Sequence, residues 1–176
     1  MAVTRLRVLT LDDAAELAAI ARENVAHLTP WDPSRDPSWF TEDGQRAALE
    51  PQLAAFDAGA GVPFAIVDEH DEIVGRITLS GIIRGAFHSA NLGYFVRSDR
   101  LRRGHASDAV GLAVEHAFSD LALHRVAAGT LPENTGSQAV LRRNGFERYG
   151  LAPEYLRING AWRDHILFQR LNPAMP

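Results

Sequence analysis

The chemistry in this chain is densest in Leu101-Arg102-Arg103-Gly104-His105-Ala106, between an apolar stretch and a long run of helical periodicity. A glycine followed two residues later by alanine lets the backbone turn tightly, with no large Cβ blocking a ligand. Amides that open a helix converge on an anion, helped by the positive end of the helix dipole. Arg102 and Arg103 add guanidinium groups suited to phosphate oxygens. With Arg97 and Arg100 they make four arginines in seven consecutive positions. The pattern predicts an anion cradle, suited to phosphate, from Arg102 to Ala106. The chain has no cysteine, which excludes disulfides, thiolate metal sites and acyl-cysteine intermediates. None of the seven histidines stands at a metal-ligand spacing with carboxylates, and no metal is expected. His124 and His165 read as packing or hydrogen-bonding residues; His105 reads as a residue whose backbone matters more than its ring.

Such residues need a scaffold to position them. A length of 176 residues suits a single domain, residues 1–176, with one sizeable core. The composition, 46% hydrophobic and 23% charged, is that of an average globular protein. No apolar run is long enough to span a bilayer, and Met1–Arg5 lacks the apolar segment of a secretory signal. A cytoplasmic protein, monomer or homodimer, with no membrane partner is expected. The net charge of −4 argues against direct nucleic-acid binding, which needs a basic surface. Alternation over residues 3–9 predicts a strand. Asp12 or Asp13 then caps a helix whose apolar stripe runs from Leu17 to Leu28. Three prolines make residues 29–39 a loop carrying Trp31 and Trp39, which either cover the core edge or wall a substrate site. Residues 41–58 read as a helix that Pro51 kinks or breaks. Val62–Asp68 and Ile73–Ser80 read as strands joined by a His70-Asp71 turn, and Asn91–Val96 as another strand. A helix from Gly104 to Leu121, a strand Arg125–Thr130 and a helix Thr135–Arg143 follow, with Gly145 just past the helix end. Two last strands, near 146–157 and 161–170, flank Asn159-Gly160, a strong hairpin signal. This order predicts an α/β (α+β) fold: a mixed, mostly antiparallel sheet with helices on both faces.

Strand, then Arg102-Arg103-Gly104-His105-Ala106, then helix resembles the pyrophosphate-binding motif of the GNAT acetyltransferases. Pro132-Glu133-Asn134-Thr135-Gly136-Ser137, Arg143-Asn144-Gly145-Phe146 and Asn159-Gly160-Ala161-Trp162-Arg163-Asp164-His165 are similar, in this order and spacing, to the RimJ/RimL-type branch. That branch acetylates N-terminal amines of ribosomal proteins. The resemblance covers nearly the whole chain and is densest from Leu92 to Phe168. It implies a sheet splayed in the middle and acetyl-CoA as co-substrate. It further implies cofactor contacts at Phe95, Val96, Arg97, Arg102, Arg103, Gly104, His105, Ala106, Ser107, Asn134 and Ser137. Three positions depart from the pattern. Leu101 replaces a common polar residue. Leu141 stands where many relatives have a tyrosine that protonates the leaving thiolate. Asn91 stands where many have a carboxylate.

With no cysteine to carry the acetyl group, direct attack by the amine on the thioester is expected. The resemblance implies a backbone N–H of Tyr94-Phe95-Val96 facing the thioester carbonyl; such a donor is worth roughly 3–4 kcal/mol in other acyl-transfer sites. It also implies that Asn134 bonds the pantetheine arm, although Asn134 equally reads as a helix N-cap. The resemblance makes Ser137 the expected acid for the thiolate, acting as a relay because a serine hydroxyl is a poor acid; otherwise it is a polar first-turn residue. An α-amine, with a pKa of about 7.7–8.0, is roughly a tenth neutral at neutral pH, against fewer than about one lysine in a thousand. A weak base or a water therefore suffices for it. Asp164 is the expected base unless it pairs with Arg163 or another neighbour, and Asn91 would orient a water. Trp31, Tyr94 and Tyr155 are expected around the substrate. The acceptor is then the N-terminus of a protein, with a small amine such as an antibiotic or polyamine as alternative. A non-catalytic acyl-CoA-binding module is the reading from a different class.

Overall fold

The structure, a computed structural model, describes residues 3–175; Met1 and Ala2 of the N-terminal segment read above, and Pro176, lie outside the described residues. Seven strands form one sheet in the order β1-β2-β3-β4-β5-β7-β6. They are β1 (Arg5–Val8), β2 (Gly61–Val67), β3 (Ile73–Ile83), β4 (Ser89–Val96), β5 (Arg125–Thr130), β6 (Glu147–Ile158) and β7 (Ala161–Leu171). All neighbouring pairs are antiparallel except β4 with β5. The helices are α1 (Ala14–Glu23), α2 (Val25–Leu28), α3 (Glu42–Asp57), α4 (His105–Ser119) and α5 (Thr135–Arg143). Among the described residues no helix is long and apolar enough to cross a membrane.

Both faces of the sheet are covered, as the alternation of its strands requires. One face packs against α4 and α5: Leu92, Val96, Val126, Ala128, Ile166 and Phe168 meet Ala109, Val110, Ala113, Val114 and Leu141. Small residues on α4 let its backbone approach the sheet closely. The other face packs Ala65, Val67 and Ile73 against Leu17, Ile20 and Leu49 of α1 and α3. The hairpin between β6 and β7 turns at Asn159 and Gly160, with φ of 47° and 83°, the left-handed pair its sequence predicts. Gly145, φ 73°, ends α5, and Phe146 N reaches back to Leu141 O at 3.1 Å, which closes the last turn.

Three local readings are corrected. The first helix stops at Asn24, whose buried amide donates to Ile20 O and accepts from Ser98 N at 2.7 Å; that tertiary bond turns the chain into a separate α2. Helix α3 runs through Pro51 without interruption. The Gln52 side chain donates to Ala48 O at 2.7 Å, beside the Ala47 carbonyl that Pro51 cannot serve. The connection between β2 and β3 is a five-residue loop, residues 68–72. Asp68 organises it, accepting from the amides of His70 and Glu72.

Candidate active site

β4 and β5 pair only over Ser89–Asn91 against Arg125–Ala127. β5 then continues along β7 to Thr130, while β4 from Leu92 onward has β3 alone beside it. The outward amides and carbonyls of that part of β4 have no strand to pair with. A gap opens in the middle of the sheet, and two cavities meet there. The larger, about 680 Å³, runs from the loop before α4, past Tyr94–Val96, to the first turn of α5. The smaller, about 230 Å³, lies between Leu92–Tyr94 and Ala128–Leu131. Trp31, Asp32, Tyr94, Asn134 and Ser137 line both.

At the far end of the larger cavity the chain approaches α4 with Arg102 at φ 59° and Gly104 at φ 100°. The second value suits glycine. A Cβ there would meet nothing closer than Asp108 Oδ2 at 3.6 Å, so protein does not fill the hollow. Within the described residues the amides from Leu101 to Ser107 donate no hydrogen bond; the first helical bond runs from Asp108 N to Gly104 O at 3.0 Å. Such a row of free amides at a helix start is an anion nest. Gly104, His105, Ala106 and Ser107 all line the cavity. The buried His105 ring lies 3.0 Å from the Thr4 hydroxyl, which itself donates to Asp108 Oδ2 at 3.2 Å. With Thr4 donating to the carboxylate, His105 Nδ1 carries the proton it shares with Thr4. This chain ties the N-terminal segment to the first turn of α4.

The arginine cluster divides. Arg97 forks onto Asp99 at 3.1 Å, and Arg100 is surrounded by Asp68, Glu72 and Asp99. Their charge is balanced by protein carboxylates. Arg102 lines the larger cavity, whereas the exposed Arg103 and the paired Arg97 line neither. Arg143, quoted in the Arg143-Asn144-Gly145-Phe146 motif but given no site role there, lines the larger cavity beside Val140.

Beside the gap, Asn134 Oδ1 accepts from Ser137 N at 3.0 Å, the N-cap of α5, which leaves the Asn134 amide nitrogen free to donate. Ser137 Oγ is 2.8 Å from the hydroxyl of Tyr94, which also reaches Ser137 O at 3.2 Å. Burial pushes the Tyr94 phenol up to about 12, outweighing the opposite effect of the Ser137 bond. It therefore stays a proton donor through the physiological range. Leu141 is fully buried and carries no hydroxyl; the residue of α5 that the Tyr94 hydroxyl reaches is Ser137.

The remaining readings separate. Trp31 lines both cavities, while Trp39 lies under the Arg35 guanidinium at 4.0 Å. Asp164 and Tyr155 line neither cavity. β6 bulges between Ala152 and Leu156, and Asp164 Oδ1 accepts from Glu154 N at 2.9 Å within the bulge. Asp164 is thus a staple for an irregular edge strand rather than a cavity carboxylate. Its neighbour Arg163 pairs with Glu133 instead. Tyr155 is half exposed, its ring 5.3 Å from that of His165. Asn91 is exposed on β4, and its side chain lines neither cavity. In their place the structure brings Asp32, Thr130 and His165 to the smaller cavity. Asp32 is held by Arg35 at 3.4 Å. Among the described residues no three His, Cys, Asp or Glu side chains cluster as a metal site.

Residues 4–147 match the family described as acetyltransferase (GNAT) domain. The [ribosomal protein uS5]-alanine N-acetyltransferase of Escherichia coli (strain K12) is 35% identical over 92% of this chain and 84% of its own length. The probable N-acetyltransferase YjcK of Bacillus subtilis (strain 168) is 34% identical over 96% of this chain and 93% of its own. Among solved structures, Mycobacterium smegmatis RimJ in complex with CoA-disulfide superposes with a TM-score of 0.93 at 35% identity, covering 99% of this chain and 84% of that one.

Proposed function

The chain belongs to the GNAT acetyltransferase family, and from that premise we propose that residues 1–176 act as a single domain transferring acetyl from acetyl-CoA to the N-terminal α-amine of a protein. The observation that carries the acetyl-CoA reading is the row of unbonded amides from Leu101 to Ser107 at one end of a cavity that reaches Tyr94 and Ser137 at the other. A diphosphate fits that nest: it needs several N–H donors and positive charge, and the amides, Arg102 and Arg143 provide both. The unpaired side of β4 at Phe95 and Val96 would take the pantetheine amides as an added strand takes a partner, and the Asn134 Nδ2 would donate to the same arm. An outward N–H of β4 in Tyr94–Val96 would polarise the thioester carbonyl.

The Tyr94–Ser137 pair supplies a proton path to the departing sulfur. A Ser137 hydroxyl that donates to the thiolate is recharged by the Tyr94 phenol 2.8 Å away. Neither group is acidic enough to act unaided, so the two work as a relay. With no cysteine in the chain, the acetyl group goes directly to the amine, and an acetylated enzyme seen by mass spectrometry would contradict this. The protein acceptor is supported by the relatives named for a ribosomal-protein alanine. Thiol release from acetyl-CoA, measured against a panel of N-terminal peptides and small amines, tests the proposal. Turnover confined to peptides supports it, turnover confined to small amines replaces the acceptor, and tight cofactor binding without turnover leaves a binding module.

A further inference from the structure

We propose that His165 is the base that takes the proton from the acceptor amine; this rests on the acetyltransfer reading above. His165 lies on β7, only 5% exposed, and its ring lines the smaller cavity. Its Nδ1 is 3.1 Å from the carbonyl oxygen of Arg163. A carbonyl only accepts, so Nδ1 carries the hydrogen and Nε2 holds a lone pair. Nε2 makes no hydrogen bond among the described residues. The Tyr155 ring beside it and the Asp164-stapled bulge of β6 fix the imidazole, so two residues singled out from sequence position this one. Thr130 is a second sign that the cavity receives a polar ligand: it is 5% exposed and its Oγ1 has no partner.

The position suits the reaction. Tyr94, with Leu92 and Val96, lies on the face packed by α4. Ile166 shares that face, so its neighbour His165 points to the other one, where its ring lies 3.5 Å from a Cβ built on Gly129. Acid relay and base thus flank the same gap from opposite faces, which is where a leaving sulfur and an attacking nitrogen belong. The acceptor enters as an ammonium and gives one proton to His165 Nε2, which passes it to water. The neutral nitrogen attacks the thioester carbonyl carbon, the N–C bond forms and the C–S bond breaks. The sulfur takes a proton through Ser137 and Tyr94, and the nitrogen's second proton restores that relay.

The other titratable groups around His165 are Tyr155 on β6, whose ring lies against it, and Tyr94 on β4 and Asp32 on the loop after α2, which line the same cavity. The test is therefore the pH profile of kcat/KM for two peptide acceptors whose amines differ in pKa, using wild type, His165→Asn and Asp32→Asn. Asparagine keeps the donor to Arg163 O and removes Nε2. The expected result is an acidic limb at the same pH for both acceptors in wild type, replaced in His165→Asn by one that moves with each acceptor's own pKa. That variant should lose about a hundredfold in kcat/KM at pH 7, recover as rising pH frees the amine, and bind coenzyme A within about twofold of wild type. A limb unchanged in His165→Asn, or removed by Asp32→Asn instead, overturns the proposal. So does a wild-type limb that moves with the acceptor's own pKa, a result that needs no variant to fold. Wild type that binds coenzyme A yet releases thiol to no acceptor overturns the acetyltransfer reading along with it.

Discussion

Tyr94 and Ser137 sit 43 positions apart in sequence and 2.8 Å apart in space. If they form one relay, removing either hydroxyl should lower kcat by about tenfold with little change in acetyl-CoA affinity. The double variant Tyr94→Phe, Ser137→Ala should be scarcely worse than either single one, because the two share one path. Steady-state thiol release from the three variants measures this; losses that multiply would mean that the hydroxyls act separately. Ser137 was legible only through the resemblance of Asn134-Thr135-Gly136-Ser137 to a family motif, since its local spacing alone reads as a polar first-turn residue. Tyr94 reads as a residue around the substrate, and nothing in its strand says that its hydroxyl reaches Ser137 on α5. His165 was hidden for a similar reason. Asp164 looks like the reactive neighbour, and only the Ala152–Leu156 bulge shows that Asp164 faces the edge strand while the imidazole turns inward.

The turn into α4 and the turn before α1 carry the next predictions; Asp13, expected as a helix cap, bonds back to Arg7 and Thr10 and makes no side-chain cap bond to α1. Gly104→Val places a β-branched side chain at φ 100°, a conformation costing on the order of 1–3 kcal/mol, and crowds the amide nest. It should lower thermal stability and weaken coenzyme A binding at least tenfold, as calorimetry would read. At the start of α1, Asp13 accepts from Arg7 at 2.6 and 2.8 Å and from Thr10 N at 2.7 Å. Burial pushes its carboxyl up, but the bonds from Arg7 and Thr10 outweigh burial and hold it below the usual carboxylate range. The fold thus favours ionised Asp13. That stability is complete above the unfolded value, about 3.9, and is lost as pH falls through the lower folded one. Asp13→Asn should be less stable at pH 7 and should lose less stability on acidification, by denaturant titration at pH 7 and pH 3. The helix starts and the Asn159-Gly160 turn were legible because their signals are local. The stop at Asn24 was not, because the deciding bond comes from Ser98, a partner no local window contains.

Across the whole molecule, a ligand that bridges the loop before α4, the open side of β4 and the first turn of α5 ties together segments on both sides of the gap. Saturation with coenzyme A at about a hundred times its dissociation constant should therefore raise the melting temperature by roughly 5–10 °C. No shift in scanning fluorimetry would speak against the cradle. The succession of strands and helices along the chain and the covering of both faces followed from periodicity; the order of the strands in the sheet did not. The depth of the splay did not, because nothing in the apolar runs Leu92–Val96 and Val126–Thr130 says that pairing ends after Asn91 and Ala127. That short parallel seam has an evolutionary corollary. Substitutions at Trp31 or Leu156, which line the smaller cavity, can redirect which amine is accepted, whereas damage to His165, to β4 or to the turn before α4 disables transfer to every acceptor alike. Paralogues of this chain should diverge first at those two positions, and the turn should be the last part to drift.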